Sequence, residues 1–156
     1  AALEFSGDTY DFPRPLLHKN GHNFSFSGLK TAMLRFREKH IENSSTSGNN
    51  PKPLPEEGPV LASFFQSVLD VLIYKTFKAA EINGLKNISV SGGLAASRKL
   101  RSAFEAEAAR KGINLFYPPP NLCTDNAAMV TCLAAHRYEA EQFDDLTLDA
   151  FPNLIT

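Results

Sequence analysis

The stretch Ile88-Ser89-Val90-Ser91-Gly92-Gly93-Leu94-Ala95-Ala96-Ser97 decides the fold class. Ile88 to Ser91 is a short β-prone run, and Gly92-Gly93 stops it. Leu94 to Lys111 then reads as a helix, with Leu100, Ala103, Phe104 and Ala108 on one face and Gly112 as its end. Asn114 to Tyr117 is a second short strand, closed by three prolines, Pro118, Pro119 and Pro120. A third helix follows to about Gln142, with Thr124 or Asp125 as its cap. Strand, helix, strand, helix with short turns predicts parallel strands covered by helices, an α/β fold.

Upstream, Val60 to about Asn83 carries Leu61, Phe64, Phe65, Val68, Leu72, Thr76 and Ala79 at helical spacing. Leu69, Ile73 and Phe77 widen that stripe, so the helix is expected to be buried on more than one side. Asn83-Gly84 ends it. Residues 43–59 turn to Ser, Asn, Gly, Glu and Pro, and the four prolines predict a mobile surface loop there. Leu29 to about His40 reads as a helix with Leu29, Met33 and Phe36 on one face. Before it, Phe24-Ser25-Phe26-Ser27 alternates like a half-buried strand, broken by Gly28. Asp11-Phe12-Pro13-Arg14-Pro15 is extended, because each proline moves its predecessor out of the helical region.

The chain has 156 residues, 43% hydrophobic and 21% charged, with a formal net charge of −1. Those values suit one globular domain and argue neither for nor against a nucleic-acid partner. The two cysteines do not form a disulfide framework. No run of 18 apolar residues predicts a membrane span, and no signal-peptide pattern opens the chain. The first residues, Ala1-Ala2-Leu3-Glu4-Phe5, read as the middle of a longer protein.

Three places carry chemistry. Ser91-Gly92-Gly93 lets backbone approach a ligand, and the helix start behind it offers N–H groups to an anion. A simple tight turn explains the same residues. Cys123-Thr124-Asp125-Asn126 follows the second strand, and ligands of open α/β sheets gather beyond strand carboxyl ends, so both places should face one crevice. Asp125 fits a metal ligand or a helix cap. Lys30 opens a helix, where a cation opposes the dipole, which hints at a phosphate or RNA contact. Cys132 and His136 have a spacing that can hold a metal, but no further ligand lies near in sequence, so a packed thiol and a surface histidine are expected.

Taken together, Phe12-Pro13-Arg14-Pro15, Phe24-Ser25-Phe26-Ser27-Gly28-Leu29-Lys30-Thr31, Ser91-Gly92-Gly93-Leu94-Ala95-Ala96 and Cys123-Thr124-Asp125-Asn126-Ala127-Ala128-Met129 resemble the tRNA N6-adenosine threonylcarbamoyltransferase family, formerly described as O-sialoglycoprotein endopeptidases. The resemblance implies an actin-like fold of the sugar kinase and heat-shock ATPase superfamily, with residues 1–156 as a single C-terminal lobe. It implies transfer of a threonylcarbamoyl group from threonylcarbamoyl-adenylate to N6 of the adenosine beside the tRNA anticodon. It implies one divalent metal, iron or zinc, held by Asp125 and by two histidines of an H-x-x-x-H helix in the other lobe. Nucleotide would sit at Gly92, Gly93 and Ser97, and tRNA or phosphate at Lys30. The partners would be tRNA, accessory proteins of the same pathway and the missing N-terminal lobe, in the cytoplasm or in mitochondria and away from membranes.

Two departures from the family pattern matter, Ser97 and the want of the family's helical H-x-x-x-H, while Leu94 for Val and Ala127 for Gly are mild changes. Ser97 stands where the G-G-V-x-A-N motif has asparagine, which changes the donor and acceptor set. His18 and His22 read H-x-x-x-H but fall in a Gly- and Asn-containing loop, and are expected to be a coincidence. The chain alone is therefore expected to be inactive. A nucleotide-binding lobe of an actin-like kinase or ATPase shares the Gly-Gly turn but has no need of Asp125. A non-catalytic dimerisation paralogue would lack Asp125, and a metalloprotease would need H-E-x-x-H, which is absent.

Overall fold

A computed structural model describes residues 8–46 and 56–149. The elements run α1 (Ser27–Thr46), α2 (Glu57–Ile82), β1 (Asn87–Ser89), a 3-10 turn (Gly93–Ala96), α3 (Arg98–Lys111), β2 (Asn114–Phe116), a second 3-10 turn (Pro120–Leu122) and α4 (Ala127–Glu139). β1 and β2 pair in parallel, as the strand–helix–strand order predicts, with Asn87 opposite Asn114 and Ser89 opposite Phe116. Val90 N–H extends the ladder to the Phe116 carbonyl at 2.9 Å.

The core lies between α2, α3 and this small sheet. Leu69, Phe77 and Ala80 of α2 meet Ile88 of β1 and Leu100, Phe104 and Ala108 of α3. The Phe77 and Phe104 ring centroids are 5.7 Å apart. Three of the four residues expected on the inner face of α3 are fully buried, and Ala103 packs at the margin. Gly112 ends α3 at φ 63, a left-handed conformation that suits glycine, and Arg110 and Lys111 complement the helix C-terminus.

A second apolar contact surface joins the N-terminal segment to α1 and α2. Phe12 is 2% exposed and lies between Phe36 and Phe64. Arg14 then fastens the extended Phe-Pro-Arg-Pro segment to α2, with Nε donating to Asp70 Oδ2 at 2.8 Å and a further pairing to Asp8. Burial works against the Arg14 charge, but bonds to Asp70 and Asp8 outweigh it and hold its pKa above the ordinary value. α2 is long and apolar enough to cross a membrane by length and composition. Its most deeply buried apolar residues, Leu69, Val71 and Phe77, are shielded within the protein itself.

Several expectations are corrected. Phe24 to Phe26 form no strand; the two rings stack at 6.4 Å, and Ser27 and Gly28 begin α1 instead. Alternation supplies strand propensity, but among the described residues no neighbouring strand satisfies the backbone there. Of the loop expected at 43–59, residues 43–46 belong to α1, which runs to Thr46, and residues 57–59 belong to α2, which starts at Glu57; residues 47–55 lie outside the described residues. Pro59 sits in the first turn of α2, where a missing N–H breaks no helical bond. Leu61, placed on the inner stripe, is 41% exposed, while Ser63 and Ser67 are buried and bond back to the Pro59 and Phe64 carbonyls. The helix expected over 94–111 is two pieces, divided at Ser97. The last helix ends at Glu139 rather than near Gln142.

Candidate functional site

Both carboxyl ends of the parallel strands lead into the site. After β1 the chain reaches Gly92, whose φ of 90 and ψ of 168 belong to a region only glycine occupies freely. Ala95 N–H bonds back to the Gly92 carbonyl at 2.9 Å and closes the 3-10 turn. The N–H groups of Gly93 and Leu94 open that turn and find no acceptor inside it. Ser97 then caps α3, its Oγ accepting from Leu100 N–H at 3.4 Å. The hydroxyl accepts in that bond, which leaves its own proton to donate.

After β2 the chain passes Pro118 and Pro119, makes the second 3-10 turn and reaches Cys123 to Asn126. The expected cap is corrected here. Neither Thr124 nor Asp125 caps α4; Asn126 does, with Oδ1 accepting from Met129 N–H at 3.0 Å. Its Nδ2 donates back to the Thr124 carbonyl at 2.9 Å, so one side chain fixes both the helix start and the loop before it. Asp125 is thereby released from capping. It is exposed, and among the described residues no hydrogen bond or ion pair engages its carboxylate.

The two segments meet. A Cβ built on Gly93 would lie 3.8 Å from the Thr124 methyl, an ordinary van der Waals contact. The Gly-Gly turn and the Thr124–Asp125 loop therefore form one surface beyond the strand ends, where ligands of parallel sheets bind.

Arg101, one of three basic residues in the first turns of α3 with Arg98 and Lys99, holds this surface together. Arg101 Nε donates to the Ala95 carbonyl at 2.6 Å, and its terminal nitrogen donates to the Pro118 carbonyl at 2.8 Å and to Cys123 Sγ at 3.3 Å. The guanidinium lies over the Tyr117 ring at 4.7 Å. Burial pushes the Tyr117 phenol up, Glu105 adds to the shift and Arg101 opposes it. Arg101 stands one turn after the Ser97 cap, and helical side chains lean toward the N-terminus, which carries its guanidinium back to the turn.

The other candidate residues lie elsewhere. Lys30 is exposed on the first turns of α1. His18 packs edge-on against Tyr74 of α2 at 5.5 Å. Cys132 is exposed, and His136 lies 4.0 Å from Glu139 on the same exposed helix. Among the described residues no three of His, Cys, Asp and Glu gather as a metal cluster, so Asp125 is a single available donor. That donor fits one place in a shared ligand set, because stable sites use three or four ligands.

Residues 1–132 match the family model of tRNA N6-adenosine threonylcarbamoyltransferase, TsaD. The chain belongs to this family. Similar proteins bearing that name include one from Symbiobacterium thermophilum, 39% identical over 97% of this chain and 42% of the relative. Another from Geobacter metallireducens is 41% identical over 97% of this chain and 42% of the relative. A third from Thermotoga neapolitana is 39% identical over 93% of this chain and 41% of the relative. The chain thus spans about two fifths of the length of these TsaD relatives. The matched region contains the Gly-Gly turn, Arg101 and the Asp125 loop together.

Proposed function

We propose that this chain forms the C-terminal lobe of an actin-like, two-lobed TsaD enzyme. The whole enzyme would transfer a threonylcarbamoyl group from threonylcarbamoyl-adenylate to N6 of the adenosine beside the tRNA anticodon. The observation that carries the reading is the approach of Gly93 to Thr124, 3.8 Å from the methyl to where a glycine Cβ would stand, which puts a backbone cradle and an unengaged carboxylate on one surface. Gly92 and Gly93 would let the adenylate phosphate approach the main chain, and the Ser97 hydroxyl would donate its remaining proton to the nucleotide.

Asp125 would supply one ligand to a divalent metal, iron or zinc, completed by two histidines from the rest of the polypeptide. When bound, such an ion supplies Lewis-acid polarisation of a carbonyl or phosphoryl oxygen. Lys30, exposed on α1, would contact tRNA phosphate. Accessory proteins of the pathway would complete the assembly, in the cytoplasm or in mitochondria.

The test grafts residues 1–132 into the matching part of the Geobacter metallireducens relative and measures threonylcarbamoyladenosine formed on tRNA. The graft is expected to be active, Asp125→Asn in the graft to lose activity, and the 156-residue chain alone to transfer nothing. An active Asp125→Asn graft would refute the metal role of Asp125, and an inactive parent graft would refute the assignment of this lobe.

A further inference from the structure

We infer that Arg101 is the positioning residue of this site: its guanidinium sets the Gly92–Gly93 turn and the Asp125 loop at one fixed spacing. The inference rests on the assignment of those two segments to one site. Each half of the site hangs on a short turn. The Gly93–Ala96 turn is four residues, and the Pro120–Leu122 turn is three. Neither turn is long enough to hold its own orientation by helical bonds. Arg101 donates to three acceptors that join them. Ala95 O lies at the far end of the Gly-Gly turn, while Pro118 O and Cys123 Sγ flank the turn that leads to Asp125.

The choice of arginine follows from this geometry. Nε and one terminal nitrogen point in fixed directions within a rigid plane, so bonding Ala95 O with one and Pro118 O with the other fixes the separation of the two carbonyls. A lysine ammonium satisfies either carbonyl but sets no angle between them. The Tyr117 ring closes one face of the guanidinium and keeps the plane from turning. Cys123, 5% exposed, is packed behind the clamp with its thiol 3.5 Å from the Pro119 carbonyl. Arg101 acts through the carbonyls of its neighbours; the ligand-bearing groups remain Gly92, Gly93 and Asp125.

The experiment uses the 156-residue chain with Cys132→Ser, so that Cys123 is the single thiol. In the parent, the Gly93 α-protons should show a nuclear Overhauser contact with the Thr124 methyl. In Arg101→Lys that contact should disappear, while the helical circular dichroism and the remaining amide spectrum hold. Cys123 should react with a disulfide reagent roughly tenfold faster as its loop opens locally. Manganese ion at millimolar concentration should broaden the Asn126 and Gly93 amides in the parent; in the variant Asn126 should still broaden and Gly93 should broaden less. Persistence of the Gly93–Thr124 contact and of slow thiol reaction in Arg101→Lys would overturn the inference. If Arg101→Lys loses its helical signal, Arg101→Gln is measured in its place, and unfolding of both variants would also overturn it, making Arg101 a residue of general stability. If manganese leaves Asn126 sharp in the parent, a lone carboxylate without its two histidines holds no ion at that concentration, the metal role of Asp125 rests on the graft experiment, and the Gly93–Thr124 contact still decides the role of Arg101.

Discussion

Gly93 faces Thr124: a Cβ added to the glycine would sit 3.8 Å from the threonine methyl. The two residues belong to loops that leave adjacent parallel strands. The neighbouring glycines are nevertheless not equivalent, and backbone conformation separates them. Gly93 needs no unusual backbone and has room for a methyl group. Gly92 also has open space around its missing Cβ, but its φ of 90 penalises any side chain.

Gly92→Ala is therefore expected to destabilise the chain by roughly 1–3 kcal/mol, the cost of holding an L-residue in that region. Gly93→Ala should change stability by less than about 0.5 kcal/mol, as an unstrained surface substitution does. Urea unfolding of the two variants beside the parent measures the difference. Equal losses would mean that the turn is held by something other than backbone conformation.

Asp125 and Asn126 should separate in the same way. Asp125→Asn removes a charge that, among the described residues, supports no cap and no ion pair, so its melting temperature should match the parent. Asn126→Ala removes the bond to Met129 N–H and should cost about 1 kcal/mol, the usual penalty for losing a helix cap. Thermal melts followed at the helical band test both. A large loss in Asp125→Asn would show that the aspartate is structural.

The parallel pair, the inner face of α3 and the glycine at its end were legible because each is written in a local pattern of a few residues. The strand expected at 24–27 fails on a matter that alternation does not encode, the presence of a pairing partner. The cap of α4 was misassigned because Thr124, Asp125 and Asn126 are three capping residues in a row. Only the extended backbone of Asn126, φ −153 and ψ 158, selects it. The site itself was legible as two loops beyond strand ends. What joins them was not, because Arg101 reaches Pro118 and Cys123, 17 and 22 residues away. No window of sequence contains that relationship.

Glu107 gives the chain a pH-dependent contribution of known sign. Bonds from Arg110 hold its carboxyl below the ordinary value of 4.5; partial burial opposes this, and the charges of Arg110 and Lys111 add to it. A carboxyl with a depressed folded pKa binds fewer protons folded than unfolded. Its contribution is complete above the unfolded pKa and is lost as pH falls through the folded one. Stability should therefore decline below about pH 4.5, and Glu107→Gln should flatten that part of the profile. Urea midpoints between pH 3 and pH 7 for parent and variant measure it; superimposable slopes would remove Glu107 from the account.

Lys75 is the buried charge that composition did not announce, at 4% exposure in the middle of an apolar helix. Its ammonium donates to the carbonyls of Leu16 at 2.9 Å, Gly21 at 3.2 Å and Lys19 at 3.4 Å. These acceptors all lie on the turn that follows the Phe-Pro-Arg-Pro segment, where Leu16 is held at a positive φ of 58. The ammonium replaces water for three carbonyls at once, and the carbonyls make burial of the charge tolerable. Lys75→Met keeps most of the stem and removes the donors. It should cost about 1.5–3 kcal/mol, the range for hydrogen bonds to a charged group. The loss should also be local in origin, so amide exchange at residues 16–22 should accelerate more than exchange in α3. Denaturant unfolding with hydrogen exchange on the parent and Lys75→Met reads both quantities. Unchanged stability together with unchanged protection at 16–22 would show that Arg14 and Phe12 anchor the segment without the lysine.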